Sequence, residues 1–178
     1  MIWGITGCVG AGKSTAASIL KDLGARVLDL DRVAAKAVVQ SSLGMTPAEA
    51  LTQVVTGGPE RSRIEAAILP IVIRRVEVWC AESTEPGVLD AALLFEHGLD
   101  RFCDVTVCMC CPIGERRDRV SKRSTASAQL FDAIESAQWS EEEKAKRAGF
   151  RISSAEEIRS IWSALAPTLS PAGRGRLE

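Results

Sequence analysis

Residues 7–14 read Gly7-Cys8-Val9-Gly10-Ala11-Gly12-Lys13-Ser14. The spacing is G-x-x-x-x-G-K-[ST], and each fixed position has a physical task. Glycines let the chain turn tightly and aim successive N–H groups at phosphate oxygens. A helix opening near Lys13 adds its positive N-terminal end. Lys13 is a point charge that reaches β- and γ-phosphates, and the Ser14 hydroxyl is a ligand for Mg²⁺. Gly7, Cys8, Val9, Gly10, Ala11, Gly12, Lys13, Ser14 and the adjoining Thr15 form the candidate nucleotide-binding set.

Two further groups of residues add chemistry. Asp29-Leu30-Asp31 closes an apolar run beginning at Ala25. A carboxylate at the C-terminal end of a strand beside a phosphate loop lies at the binding edge of the sheet. Asp31 there can take a proton from an attacking hydroxyl or help place Mg²⁺. By position it equally fits an N-cap for a helix from Arg32, and the two roles are compatible. Arg116, Arg117, Arg119, Lys122 and Arg123 crowd basic groups into one segment. Such a run is a solvated helix face, or a lid whose arginines neutralise charge on a transferring phosphoryl group. Arg119 and Arg123 are spaced to share a helix face. An N-K-x-D base-reading motif of the GTPase kind is absent. Cys8 has two readings. It is a thiol drawn toward thiolate by converging N–H groups and open to oxidation, or a small side chain turned away from phosphate.

Positioning these groups requires strands and helices in alternation. Residues 2–6 are apolar and enter the glycine-rich loop; 13–23 carry Ala16, Ile19, Leu20 and Leu23 at helical spacing, ended by Gly24. Residues 25–31 predict a second strand and 32–40 a helix. Thr46-Pro47-Ala48-Glu49 is a capping box with proline at the first helical position. From Glu60 to Cys80 the pattern is helical but interrupted by Pro70, which predicts a kink or two helices. Strands are expected at 88–90, 105–111 and 150–152. Helices are expected at 116–123, 126–138, after the capping box Ser140-Glu141-Glu142-Glu143, and at 154–165. The strand–helix–strand order predicts a parallel sheet with crossover helices. Residues 1–166 read as a single domain with a helical insert at about 41–80 and a lid region at about 116–138; 167–178 read as a disordered tail.

Composition narrows the class. The chain has 178 residues, 22 Lys+Arg against 23 Asp+Glu, and a net charge of −1. Hydrophobic residues make up 46%, enough for an ordinary globular core. Near-neutrality argues against a nucleic-acid-coating protein. No apolar run is long enough for a membrane span. The N-terminus lacks the pattern of a secretory signal, so a cytoplasmic protein with its six cysteines reduced is expected. Cys108 and Cys111 form a C-x-x-C, but they fall in an apolar strand, where buried thiols are ordinary.

Two stretches carry a family likeness: GITGCVGAGKSTAASILKDLGARVLDLDRVAAKAVV at 4–39 and VLDAALLFEHGLDRFCDVTVCMCCP at 88–112, with a weaker match over the basic helix and 138–151. The specific features are the phosphate loop together with Asp29-x-Asp31, and Leu93-Leu94-Phe95-Glu96 followed by Gly98-Leu99-Asp100. In these the chain resembles the dephospho-coenzyme A kinases, which are P-loop small-molecule kinases. The resemblance implies an α/β three-layer fold with a mostly parallel sheet, a helical insert and a basic lid. It implies transfer of the ATP γ-phosphoryl group, with Mg²⁺, to the ribose 3′-hydroxyl of dephospho-CoA, giving CoA and ADP. The partners implied are these small molecules, with no nucleic acid and no membrane. Residue by residue, it makes Asp31 the base or acceptor-orienting carboxylate, Arg123 (or Arg119) the lid arginine, and Arg147 the later arginine that approaches ATP. It places Asp90 and Glu96 on the acceptor side; from position alone, Glu96 is equally a surface carboxylate.

The chain departs from the family pattern at Cys8, Leu69, Ala92, Ser124 and Ser153-Ser154, and its insert is short. These changes fall more on the acceptor side than on the ATP side. Two alternatives stay open at this level: a P-loop kinase for another hydroxyl acceptor, such as a nucleoside or hydroxy acid, and a non-catalytic nucleotide-binding module.

Overall fold

A computed structural model describes residues 1–41, 43–82, 85–123, 125–153 and 155–165. The expected disordered tail lies outside the described residues. Five strands, β1 (Ile2–Thr6), β2 (Arg26–Asp29), β3 (Gly87–Asp90), β4 (Val105–Met109) and β5 (Phe150–Ile152), form one sheet in the order β2-β3-β1-β4-β5. Every pairing is parallel, so the sheet is parallel throughout where a mostly parallel one was expected. The helices are α1 (Lys13–Asp22), α2 (Leu30–Gln40), α3 (Pro47–Val55), α4 (Arg61–Ala81), α5 (Ile113–Arg123), α6 (Thr125–Ala137), α7 (Glu141–Arg147) and α8 (Ala155–Leu165).

Two apolar layers sandwich the sheet. Trp3, Ile5 and Val107 pack with Leu20 of α1 and Ile158 of α8. Trp3 and Trp162 meet edge to face at 5.0 Å, a favourable arrangement of ring quadrupoles. On the other face, Leu28, Leu89 and Leu94 pack with α2, α3 and α4. The connection leaving β1 runs toward one edge of the sheet, to β2, and the connection leaving its neighbour β4 runs toward the other, to β5. The loop after β1 therefore opens into the crevice where parallel α/β sheets bind ligands.

Four local expectations change. The second strand stops at Asp29, not Asp31, because α2 already begins at Leu30. Asp29 is the N-cap, accepting the Arg32 N–H at 3.0 Å, so Asp31 lies in the first helical turn and does not cap. Pro70 does not divide the insert: α4 is a single helix over Arg61–Ala81. Its buried stripe Ile64, Ile68, Val72, Val76 and Trp79 explains this. Burying each such side chain is worth about 1.5–3 kcal/mol, against about 3 kcal/mol for one interior proline. The fourth strand ends at Met109, because Cys111 N donates to Glu141 Oε2 (2.8 Å) instead of continuing the ladder. Both capping boxes, at Thr46/Glu49 and Ser140/Glu143, form. Among the described residues, no helix is long and apolar enough to cross a membrane.

Candidate active site

The loop between β1 and α1 is held by its glycines and by α5 behind it. Gly10 has φ +79°, and a Cβ there would come 2.7 Å from the Arg116 carbonyl oxygen. At Gly7 a Cβ would come 2.6 Å from the Met109 carbonyl oxygen. A side chain at either position is excluded sterically. Helix α1 opens from Gly12 with no side-chain cap and no acidic residue in its first turn. Helices usually place an acid there to answer the dipole. Its omission leaves the positive end and free N–H groups directed at the loop, the arrangement that binds phosphate.

Arg116 belongs to the scaffold of this loop. It is 3% exposed, its Nη1 donates to Val9 O (3.2 Å), its Nε donates to Cys111 O (2.9 Å), and it pairs bidentately with Glu135 of α6. The expectation of one solvated or catalytic basic face therefore fails at Arg116. Four of its five N–H donors go to clamping the phosphate loop and α6 to α5. Arg119 and Arg123 remain turned to the site. Arg119 Nη1 lies 4.0 Å from where a Cβ on Gly12 would stand, although Arg119 also pairs with Glu115. Arg123 lines the central cavity with Lys13 and Asp31.

That cavity holds about 340 Å³. The phosphate loop supplies Val9, Gly10 and Lys13 to one end, and Asp31 projects from α2. Apolar side chains of α2, α3 and α4 form the walls, Ala91–Leu93 after β3 lies at the base, and Ile134 and Gln138 come from α6 and the residue after it. The insert and the basic lid thus enclose one space with the loop.

Charges at the strand ends concentrate around Lys13. Burial pushes the Asp31 carboxyl above its ordinary range; Lys13 pulls it down and Asp29 pushes it up again. Solvent still reaches the Asp31 side chain from the cleft. Asp90, at the end of β3 and in register with Asp29 and Ile5, is pushed up to about 6 by burial, against the pull of Lys13. Asp31 and Asp90 lie within electrostatic reach of the same lysine. Hydroxyl and carboxylate oxygens of this kind suit a hard cation such as Mg²⁺, and the poorly compensated Asp90 carboxylate suits a site that gains a cation with the nucleotide.

The remaining expected site residues lie elsewhere. Glu96 is not a surface carboxylate: its side chain is 6% exposed and its Oε1 accepts from Lys144 Nζ (2.6 Å) and Trp139 N (3.0 Å). Those contacts turn it away from the cavity. Lys144, fully buried, also donates to Ala92 O (2.7 Å), the carbonyl that accepts from Thr6 Oγ1 at the end of β1. Arg147 does not line the cavity. Asp100 holds its guanidinium at 2.7 Å, and it lies over Phe95 and Trp139. Cys8 is 0% exposed and directs its Sγ at Trp139 O (3.6 Å); burial pushes its thiol up to about 11. Of the two readings of Cys8 this leaves the small side chain turned away from phosphate, since desolvation outweighs the positive loop.

Three groups near the cavity were not singled out from sequence. Glu65 lines it and joins two elements, accepting from Arg61 Nε (2.9 Å) and meeting His97 Nε2 (3.0 Å). Gln138 lines it with a buried Oε1 that has no partner. Lys144 anchors the base of the cavity from α7. The capping box at Ser140 announced the helix that carries Lys144, but nothing in the sequence signals that lysine's burial.

The phosphate loop at a switch point of a parallel sheet, the capless α1 and the arginine-bearing lid define a P-loop kinase fold. Solved structures agree: shikimate kinase from Bacteroides thetaiotaomicron superposes with TM-score 0.61 over 93% of this chain and 98% of its own, at 14% identity. The crystal structure of TT1252 from Thermus thermophilus superposes with TM-score 0.76 over 93% and 97%, at 33% identity. The chain belongs to the dephospho-CoA kinase family, whose model matches residues 1–47 and 44–159. A dephospho-CoA kinase of Thermus thermophilus is 35% identical over 96% of this chain and 91% of its own length. One from Deinococcus radiodurans is 31% identical over 93% and 89%. The family carries out the last step of coenzyme A biosynthesis, with ATP as phosphoryl donor.

Proposed function

We propose that this chain transfers the γ-phosphoryl group of ATP to the ribose 3′-hydroxyl of dephospho-CoA, with Mg²⁺, in the cytoplasm. The observation carrying this reading is the shared cavity: Lys13 of the phosphate loop, Asp31 of α2 and Arg123 of the lid line one space, with an apolar volume beyond them for the acceptor.

The proposed roles follow from position and charge. Backbone N–H groups of 7–14 and the end of α1 cradle the β- and γ-phosphates. Lys13 bridges their charge. Asp31 orients the acceptor hydroxyl and takes its proton. Arg123 stabilises charge on the transferring group, with Arg119 over the start of α1 as a second cation. Ser14 and Asp90 are the oxygen donors that would hold Mg²⁺ together with the nucleotide, where it would supply neutralisation of phosphate charge. Catalysis is then mainly alignment plus charge neutralisation in a walled site. Arg147, committed to Asp100, joins the ATP site only if that pair opens. Glu96 acts through Lys144 on the loop after β3 and does not touch the acceptor.

Incubation of the purified protein with ATP, Mg²⁺ and dephospho-CoA, with product mass and Lys13→Ala as control, tests the reading. CoA formed by the parent and lost in the control is expected. Nucleotide binding without CoA formation would reject it.

A further inference from the structure

The lid is a hairpin with two feet, and each is tied down by an arginine. Helices α5 and α6 are joined by the pairs Arg116–Glu135 and Arg117–Asp132, with both guanidinium groups over the fully buried ring of Phe131. The foot of α5 is held to the phosphate loop by Arg116. The foot of α6 is held to the insert by Arg61, at the start of α4. Arg61 Nη1 donates to the carbonyl of Ala137, the last residue of α6 (2.9 Å), and Arg61 Nε donates to Glu65 Oε1 (2.9 Å). The same Glu65 oxygen meets His97 Nε2 (3.0 Å), in the loop after β3. Polar contacts therefore run unbroken from that loop, through the insert, to the lid. Helix α6 has no basic residue in its own last turn, so Arg61 is also the cation at its negative end.

We propose that Arg61 is a positioning residue: by fixing the foot of α6 it sets the tilt of the lid hairpin and so the place of Arg123 at the transferring phosphoryl group. This rests on Arg123 serving that group. Arg123 ends α5, at the tip of the hairpin, and Ala137 is at its base. The 13 residues of α6 between them span about 20 Å, so a tilt of about 3° at the foot displaces the tip by about 1 Å. A misplacement of that size at a catalytic group can cost about 100-fold in rate. Ion pairs open to water add little to stability, so what the Arg61 fork contributes is direction: two bonds from one planar group, to two different elements. The insert that walls the cavity and the lid that closes it are thereby held at one fixed angle.

The test is a double-mutant cycle on kcat, with the parent, Arg61→Met, Arg123→Ala and the double variant. Arg61→Met should lower kcat at least about tenfold, with the KM for ATP within about twofold because the cradle at 7–14 is untouched. In the Arg123→Ala background the same substitution should change kcat by less than about twofold, since no guanidinium is left there to misplace. Arg61→Lys keeps a cation beside Glu65 and so leaves no carboxylate stranded, but it lacks the planar fork. It should lose activity in the same way, again only where Arg123 is present. Equal losses in the two backgrounds overturn the proposal, because a merely structural role weakens both alike. A kcat for Arg61→Met within about twofold of the parent overturns it as well. Parental turnover by Arg123→Ala removes the role of Arg123 and this proposal with it. A parent that makes no CoA overturns instead the reading of the acceptor, and the cycle is then read on the hydroxyl compound that the parent does phosphorylate.

Discussion

Lys144 Nζ lies 2.6 Å from Glu96 Oε1 with neither side chain open to water, and the same ammonium donates to the carbonyl of Ala92. This pair joins α7 to the loop that leaves β3 and, through Thr6 Oγ1 on the same carbonyl, to the strand that feeds the phosphate loop. Removing one member strands the other in a low-dielectric interior. Lys144→Met should therefore destabilise the protein by about 3–5 kcal/mol, and the double substitution with Glu96→Leu should recover much of that. Urea unfolding measures both. A single substitution costing under about 1 kcal/mol would show the pair to be dispensable.

Asp31→Ala should lower kcat by more than about 100-fold, within the range of a lost general base. The KM for ATP should change little, because the phosphate cradle belongs to 7–14 and α1. Steady-state kinetics with dephospho-CoA decide it. Near-parental turnover removes Asp31 from the chemistry.

The two lid arginines should separate. Arg123 lines the cavity, whereas Arg119 sits over Gly12 and shares Glu115. Arg123→Ala should lose about 100-fold or more in kcat, the usual result of deleting one donor to a developing charge, and Arg119→Ala clearly less. Equal losses would place both at the transferring group.

Asp90 predicts an exchange of stability for function. Its carboxyl is raised from 3.8 to about 6 in the folded chain, so folding favours the protonated form. Below the unfolded value both states are protonated and nothing is lost; as pH rises through about 6 the folded state bears the cost of a buried charge. Asp90→Asn should then stabilise the nucleotide-free protein by roughly 2–3 kcal/mol above pH 7, with the advantage fading toward pH 4. Activity should fall at every pH. Melting curves across that range test the sign, which is contradicted if the substitution destabilises at pH 8.

Local spacing made the phosphate loop, Asp31 and both capping boxes legible, because each is a contiguous pattern whose meaning needs no partner. The strand–helix–strand order made a parallel sheet legible, because parallel neighbours need crossover connections. Arg116 and Arg123 look alike in sequence, yet one clamps Val9 and Glu135 while the other lines the cavity. What separates them is the packing of α5 against α6. Of the kink or break that Pro70 suggests, the break is absent because local propensity was outweighed by a buried stripe that runs past it. Cys8 had two readings in sequence, and only its burial, which no local pattern shows, decides for the small side chain turned away from phosphate. Lys144 matters through burial, a property of the assembled fold.

The most direct test is a competition among hydroxyl acceptors. With ATP and Mg²⁺ limiting and dephospho-CoA, deoxyadenosine and shikimate present together, products are identified by mass and the position of the new phosphate by NMR. CoA, phosphorylated at the ribose 3′-oxygen, is expected as the dominant product, abolished by Lys13→Ala. Phosphorylation of deoxyadenosine or shikimate in preference to dephospho-CoA would contradict it.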